Sequence, residues 1–232
     1  MYTLEVIPNV HQVTVRLANM FLITEKKMTL IDAGYPGSVP YLVECIRKLG
    51  RSPEEIELVI VTHNHPDHTG SITELREYAD FKIAVHSADV EPSSNILPYP
   101  VGKYIGGLFK TRLLSRLRKR LILDDNNVDI KLQDNQVLDI LGGLQIVPTP
   151  GHTPGSISLY ASKFKILFVG DALGKRENHL RLPYRPISND HQQAITSVRR
   201  MAELDVQTLC FGHGHPITEN VNSSLGRLAA KH

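Results

Sequence analysis

Four side chains that can bind a metal ion fall within six residues of this 232-residue chain: His63, His65, Asp67 and His68. Residues 57–61, which are apolar from Leu58 onward, predict a buried strand that leads into this cluster. His63 and His65 are two residues apart in extended chain, so they point to the same side. Pro66 then turns the backbone toward a helix. Asp67 and His68 therefore project differently, and one loop can supply two neighbouring metal positions with two ligands each.

Three further candidate ligands lie in the second half of the chain. His152, Asp171 and His213 each follow a predicted strand and lie next to a glycine, where loop residues of a functional site are expected. Neutral imidazole and carboxylate groups suit Zn²⁺. A single histidine in such a position is more often a surface or hydrogen-bonded residue, but seven candidates in this arrangement favour a metal site.

The hydrophobic pattern predicts an α+β protein. Short runs rich in Val, Ile and Leu predict strands, and apolar residues at helical spacing predict helices. Strands in groups with interspersed helices favour two sheets with helices on their outer faces. The predicted strands are 2–7, 10–17, 19–24, 28–31, 57–61, 81–85, 144–149, 156–160, 165–169 and 207–211, and the predicted helices are 39–49, 190–204, 218–230 and one that begins at Pro66.

Residues 92–123 break this pattern. The segment contains seven basic residues and no acidic one, and its apolar side chains recur every three or four positions. It is predicted to be an amphipathic helical insertion. Three interpretations are open: a helix packed on the body, a lid that shapes an apolar acyl pocket over the metals, and a contact with a second copy or with a membrane.

Charge, cysteine content and the distribution of apolar residues limit the partners and the cellular location that are expected. The formal net charge is only +2, so there is no overall attraction to nucleic acid or anionic membrane, and nucleic acid is not expected as a partner. Cys45 and Cys210 are far apart in sequence, which favours free thiols in a reducing compartment. Residues 1–17 lack the apolar run of a signal peptide, and no stretch is long enough to span a membrane. A cytoplasmic protein is expected.

The segment His-Asn-His-Pro-Asp-His at residues 63–68 resembles the His-x-His-x-Asp-His signature of the metallo-β-lactamase superfamily. The order of Asp32, this cluster, His152, Asp171 and His213 resembles the five successive motifs of that superfamily. The resemblance extends from about Leu30 to His215. It implies an αββα sandwich, with two mixed sheets and helices on the outer faces, formed by residues 1–232 as a single domain.

The resemblance also implies a role for each ligand. It assigns His63, His65 and His152 to a first metal, Asp67, His68 and His213 to a second, and Asp171 to a bridge between them. Asp32 is expected to support the ligand loop without binding metal. His215 is interpreted either as a pocket-lining residue or as part of a turn.

Such a site predicts hydrolysis. Two Zn²⁺ ions can share a water molecule and lower its pKa toward about 7, which yields a hydroxide that bridges the metals. Asp67 is the predicted catalytic residue, because it can orient that hydroxide and pass a proton to the leaving group. The expected substrate is a small molecule, acyl-bearing in one interpretation, with a thioester, lactone or ester bond.

Several alternatives remain open at this point. Iron or manganese could replace zinc, and a persulfide-oxidising relative uses one iron held by two histidines and an aspartate. A phosphodiesterase or nuclease, a non-catalytic binding module and a homodimer are also open. Relatives of the glyoxalase II type usually continue further beyond the position of His215. Lactonases have a tyrosine at the position of Gly174, for which Tyr184 is a candidate substitute.

Overall fold

A computed structural model of the chain describes residues 2–90, 123–177 and 179–232. Apart from Leu123, the predicted insertion lies outside the described residues, so its three interpretations stay predictions. The chain divides into two compact units. The first comprises Met1–Val85 and Val90–Lys131, and the second comprises His86–Asp89 and Leu132–His232.

The first unit is built on a seven-stranded mixed sheet whose strands follow one another in chain order. The first four strands pair antiparallel, and β4, β5 and β6 then pair parallel. The strands are β1 (Tyr2–Ile7), β2 (Val10–Val15), β3 (Ala18–Thr24), β4 (Met28–Ile31), β5 (Ile56–Val61), β6 (Lys82–His86) and β7 (Ile130–Leu132).

Helix α1 (Val39–Lys48) connects the parallel strands β4 and β5. Leu42, Val43 and Ile46 are buried on one face of the helix and join the apolar core of the sheet. A proline in the first turn and two basic residues in the last turn suit the ends of a helix. This connection keeps β4 and β5 parallel, so the residues that follow both strands lie at the same sheet edge.

The helix predicted from Pro66 is two separate turns, α2 (Pro66–Thr69) and α3 (Ile72–Leu75). Gly70 and Ser71 lie between them. The Ser71 hydroxyl donates to the Tyr35 carbonyl at 2.5 Å and accepts from the Ser38 amide at 3.0 Å. These bonds to the segment after β4 hold the residues between the two turns. His68 therefore lies in a short first turn, and His63 and His65 precede it in the loop.

The second unit contains a five-stranded mixed sheet in the order β14-β11-β10-β9-β8 and a two-stranded hairpin, β12–β13. Only β11 and β14 pair parallel among these strands. The strands are β8 (Val137–Leu138), β9 (Leu144–Pro148), β10 (Ile157–Ala161), β11 (Ile166–Phe168), β12 (Gly174–Arg176), β13 (His179–Arg181) and β14 (Thr208–Cys210).

Two helices pack in the second unit, α4 (His191–Ala202) and α5 (Val221–Lys231). The Asp190 carboxylate caps α4 by accepting from the amides of Gln192 and Gln193. Val198 and Met201 of α4 and Leu225 of α5 join the core of this unit. The helices thus cover the apolar side chains of the sheet, as the periodicity of both segments predicts.

The predicted α+β class and the two mixed sheets are confirmed. Every strand predicted from the sequence is present within a few residues, and α5 begins at Val221 instead of residue 218. Four short strands, β7, β8, β12 and β13, escaped the sequence analysis. Within residues 2–90, 123–177 and 179–232, no helix is both long and apolar enough to cross a membrane.

Candidate metal centre

The end of β5 delivers three imidazoles to one place in the first unit. The ring of His63 lies 4.7 Å from that of His65 and 4.1 Å from that of His68, measured between centroids. His65 is extended, and its carbonyl accepts from the amides of His68 and Thr69 at 2.9 and 3.0 Å. The prediction that His63 and His65 point to the same side is confirmed, with ligand atoms within 4.8 Å of one another.

Asp32 anchors this loop from the end of β4. Its side chain is buried, with 1% exposure. It accepts from the Thr62 amide at 2.8 Å, the Thr62 hydroxyl at 2.9 Å and His68 Nδ1 at 2.8 Å. A carboxylate only accepts hydrogen bonds, so Nδ1 of His68 carries the proton and Nε2 is left as the ligand atom. This is the supporting role that the resemblance implies.

Nε2 of His68 lies 3.8 Å from Asp67 Oδ2, so the two predicted ligands of the second metal are neighbours. Asp67 is in the first turn of α2 and its side chain is 22% exposed. Between His63 and His65, the side-chain amide of Asn64 makes two hydrogen bonds to the Leu123 backbone, at 2.7 and 2.9 Å. The sequence analysis missed this contact, since it joins residues 59 positions apart.

In the second unit, Asp171 lies between two imidazoles. Its Oδ2 atom is 3.7 Å from His152 Nε2 and 3.4 Å from His213 Nε2. The parallel pair β11–β14 explains part of this placement. Its backbone bonds continue beyond the strands, from the Val169 amide to the Cys210 carbonyl and from the Gly212 amide to the Gly170 carbonyl, both at 2.8 Å. The residues that follow the two strands therefore stay side by side.

His152 is buried in a loop that α4 covers. The His152 carbonyl accepts from the Asn189 amide at 3.1 Å, and the Gly151 carbonyl accepts from the Asp190 amide at 2.9 Å. Gly151 has φ +136°, and a Cβ there would lie 2.5 Å from the Ala194 nitrogen. Glycine is required at this position both by its backbone conformation and by the approach of the helix.

Lys175 is a half-buried cation of the second unit. It lies in β12, with Nζ 5.7 Å from the centre of the Phe211 ring, and a Cβ on Gly214 would be 3.6 Å from its Cε. Burial lowers the pKa of the Lys175 ammonium below its ordinary value. In the described part of the chain no carboxylate pairs with it. The Lys175 side chain therefore lies beside the loop that carries His213.

The remaining candidates are less enclosed. Tyr184 is 70% exposed, and its carbonyl accepts from the Ser188 hydroxyl and the Ile187 amide. His215 is exposed, and Gly174 begins β12. Tyr184 thus lies exposed in a loop. Gly174, which stands where lactonases have a tyrosine, supplies no side chain.

The hydrogen bonds of the histidines fit a metal site. Nδ1 faces a hydroxyl or carboxylate oxygen in three of them: Thr62 at 3.1 Å from His63, Asp32 at 2.8 Å from His68 and Ser188 at 3.5 Å from His152. Histidines that bind metals through Nε2 are commonly oriented in this way. Each unit therefore carries candidate His/Asp ligands for a metal ion; the convergence of all seven on two ions stays a prediction.

Comparisons with known proteins agree with this chemistry. The family model of the metallo-β-lactamase superfamily matches residues 13–213. The chain is 30% identical to the probable metallo-hydrolase YflN of Bacillus subtilis, over 97% of this chain and 91% of that protein. It is 26% identical to an N-acyl homoserine lactonase of a Bacillus species, over 74% of this chain and 61% of that protein.

Among solved structures, the fold is similar to that of the metallo-β-lactamase family protein TTHA1429 of Thermus thermophilus. The TM-score is 0.74 at 21% identity, over 98% of this chain and 80% of that one.

Proposed function

The chain belongs to the metallo-β-lactamase superfamily and has its fold, and from this premise we propose that it is a binuclear zinc hydrolase that cleaves a thioester, lactone or carboxylic ester. The observation that carries the proposal is the orientation of the ligand histidines. His63, His68 and His152 each have Nδ1 beside an oxygen of the chain. Their Nε2 atoms are thereby left to bind metal.

The proposed ligand set follows the family pattern. His63, His65 and His152 would hold one zinc ion, Asp67, His68 and His213 the other, and Asp171 both. When bound, the two zinc ions supply an activated water molecule and positive charge that stabilises the developing oxyanion. Imidazole nitrogen and carboxylate oxygen are both common zinc ligands, so this set can bind zinc without a thiol.

Asp67 is the proposed proton-transfer residue. Its Oδ2 atom lies 3.8 Å from His68 Nε2, and its side chain is partly exposed. In this place the carboxylate can accept a hydrogen bond from the attacking water, take up its proton and return it to the oxygen or sulfur of the leaving group. Asp32 cannot take this role, because all its observed bonds orient the backbone and His68.

Two observations narrow the substrate. The lactonase among the relatives favours a lactone within the ester-like class. Lys175 favours a substrate with an anionic group, because a half-buried cation without a carboxylate partner in the described residues gains stability from a negatively charged ligand. Lys175→Met is expected to raise KM for acidic substrates at least about tenfold and to leave KM for neutral ones unchanged.

The experiment combines metal counting with a substrate panel. Protein purified without added metal is analysed for zinc, iron and manganese, and then assayed with thioesters, lactones, carboxylic esters and phosphoesters. We expect two zinc ions per chain and turnover of one ester-like class. His65→Ala and Asp171→Ala should each reduce turnover by about a thousandfold, while His179→Ala, an exposed histidine of β13, serves as the matched control.

Three results would replace the proposal. One iron per chain with oxygen uptake on glutathione persulfide would indicate the dioxygenase, and turnover of phosphoesters alone would indicate a phosphodiesterase or nuclease. A folded protein that binds no metal would indicate a binding module. Retention of more than a few per cent of turnover in His65→Ala would show that the proposed metal site is not the catalyst.

A further inference from the structure

The loop that carries His152 closes around a carboxylate that the sequence analysis did not single out. Asp89 ends a short 3₁₀ turn after β6 and is only 7% exposed. Its Oδ1 atom accepts from the Gly155 amide at 2.6 Å, and its Oδ2 atom accepts from the Thr153 hydroxyl at 2.7 Å. Both oxygens of a buried side chain are therefore committed to the residues immediately after His152.

The rest of the loop is organised by the same two bonds. Because Thr153 gives its hydroxyl proton to Asp89, the Ser156 hydroxyl, 2.7 Å from Thr153 Oγ1, must donate to it. The Ser156 Oγ atom in turn accepts from the Thr153 amide at 3.0 Å. These bonds form a closed network in which each polar atom has a partner, and such networks hold a loop in one conformation.

Close packing strengthens the arrangement. A Cβ on Gly155 would lie 2.4 Å from the Asp89 nitrogen and 2.7 Å from the Asp89 Cβ. Only glycine lets the two backbones approach closely enough for the short bond from the Gly155 amide. On the other side, α4 contributes a bond from the Ser197 hydroxyl to the Pro150 carbonyl at 2.7 Å. His152 thus lies in a loop that is fixed from both sides.

We infer that Asp89 is a positioning residue for His152: it fixes the loop so that the imidazole is oriented for metal binding before any metal arrives. Its consequence for zinc rests on the proposed function, whereas its consequence for the His152 ring does not. Asp89 acts on the second unit's ligand loop as Asp32 acts on that of the first. The difference is that Asp32 touches a ligand histidine directly, and Asp89 acts through the backbone.

The test compares Asp89→Ala, Asp89→Asn and Thr153→Val with Asp129→Ala. Asp129 is the matched control, because its carboxylate also accepts from a backbone amide, that of Ile83 at 2.8 Å, but lies in the first unit. Zinc affinity of the metal-free proteins is measured by competition with a chromophoric chelator. Asp89→Ala should weaken one of two zinc sites by about 10- to 100-fold and leave the other unchanged.

The milder variants keep the test decisive if Asp89→Ala does not fold. The asparagine oxygen can still accept from Gly155, and its amide can donate to Thr153, so Asp89→Asn should weaken that zinc site less than Asp89→Ala. Thr153→Val removes one of the two bonds and should weaken it severalfold. Wild-type affinity at both sites in folded Asp89→Ala, or in both milder variants, would overturn the inference.

A second readout separates this inference from the proposed function. In metal-free protein, NMR signals of the His152 ring should shift and broaden in Asp89→Ala and Thr153→Val, while those of His68 stay unchanged. If the wild type binds no zinc but the His152 signals respond in this way, the proposed function fails and the positioning role stands. Unchanged His152 signals in both variants would refute the positioning role, whatever the zinc content.

Discussion

The Asp32 carboxylate offers the sharpest quantitative prediction, because its contacts are few, buried and countable. Asp32→Ala removes the acceptor of three hydrogen bonds, from the Thr62 amide, the Thr62 hydroxyl and His68 Nδ1. A bond to a charged acceptor contributes about 1.5 kcal/mol or more. The three together therefore stabilise the fold by about 4–5 kcal/mol.

Backbone conformation adds to this loss. Asp32 has φ +59°, a left-handed conformation that costs alanine about 1 kcal/mol and that aspartate and asparagine tolerate better. The free energy of unfolding of Asp32→Ala should thus fall by about 5 kcal/mol, a large part of the total for a protein of this size. Asp32→Asn keeps one acceptor oxygen and the backbone preference, so we expect a loss of about half as much.

The assay is urea unfolding followed by far-ultraviolet circular dichroism on metal-free protein, since bound metal would itself stabilise the native state. Thr62→Val is the matched variant, because it removes the hydroxyl bond and keeps the amide bond. The expected order of stability is wild type, Thr62→Val, Asp32→Asn, Asp32→Ala. If Asp32→Ala loses less than about 1 kcal/mol, the three bonds do not carry the energy assigned to them.

Further predictions concern residues that are not themselves candidate ligands. Gly70→Ala should destabilise the protein by about 2–3 kcal/mol, because its Cβ would lie 2.4 Å from Pro36 Cδ. Gly226→Ala in α5 should stabilise the protein by about 1 kcal/mol, because a Cβ there meets nothing within 4 Å and alanine favours a helix. Thermal melts compare the two variants. Burial lowers the pKa of the His11 imidazole below its ordinary value of 6.5. As the pH falls, the unfolded chain therefore takes up this proton before the native state does, and stability should fall as the pH drops through 6.5. His11→Gln should show a smaller change in urea midpoint than the wild type between pH 7.5 and about 5.5. Burial raises the pKa of the thiols of Cys45 and Cys210, so both should react with Ellman's reagent at least about a hundredfold more slowly in the native state than in urea; fast native labelling of Cys210 would contradict its burial.

Local sequence determined the part of the site that lies in one loop. A buried strand, two histidines in extended chain and a proline specify where His63 and His65 point, because side chains alternate along a strand and proline begins a helical turn. The close approach of these two rings bears this out. The strands that precede Asp171 and His213 were also predictable, since short runs of mainly apolar residues need no distant partner to be recognised.

Short polar strands were not predictable in this way. The six strand residues of the β12–β13 hairpin include three basic side chains and a single apolar one, Leu180, so it has no apolar alternation to distinguish it from a loop. The inward placement of Lys175, opposite the buried Leu180 in the hairpin, is therefore visible only in three dimensions.

The sequence by itself determined which side chains can bind metal and which strands carry them, because ligand chemistry and hydrophobic period are local properties. Only the tertiary structure decided how those side chains are held. Asp89 contacts the His152 loop from 64 and 66 positions away, and Asp32 reaches His68 across 36. The hydrogen-bond partners of a buried carboxylate depend on which distant backbone segments the fold places beside it. The local periodicity of the sequence does not specify these segments.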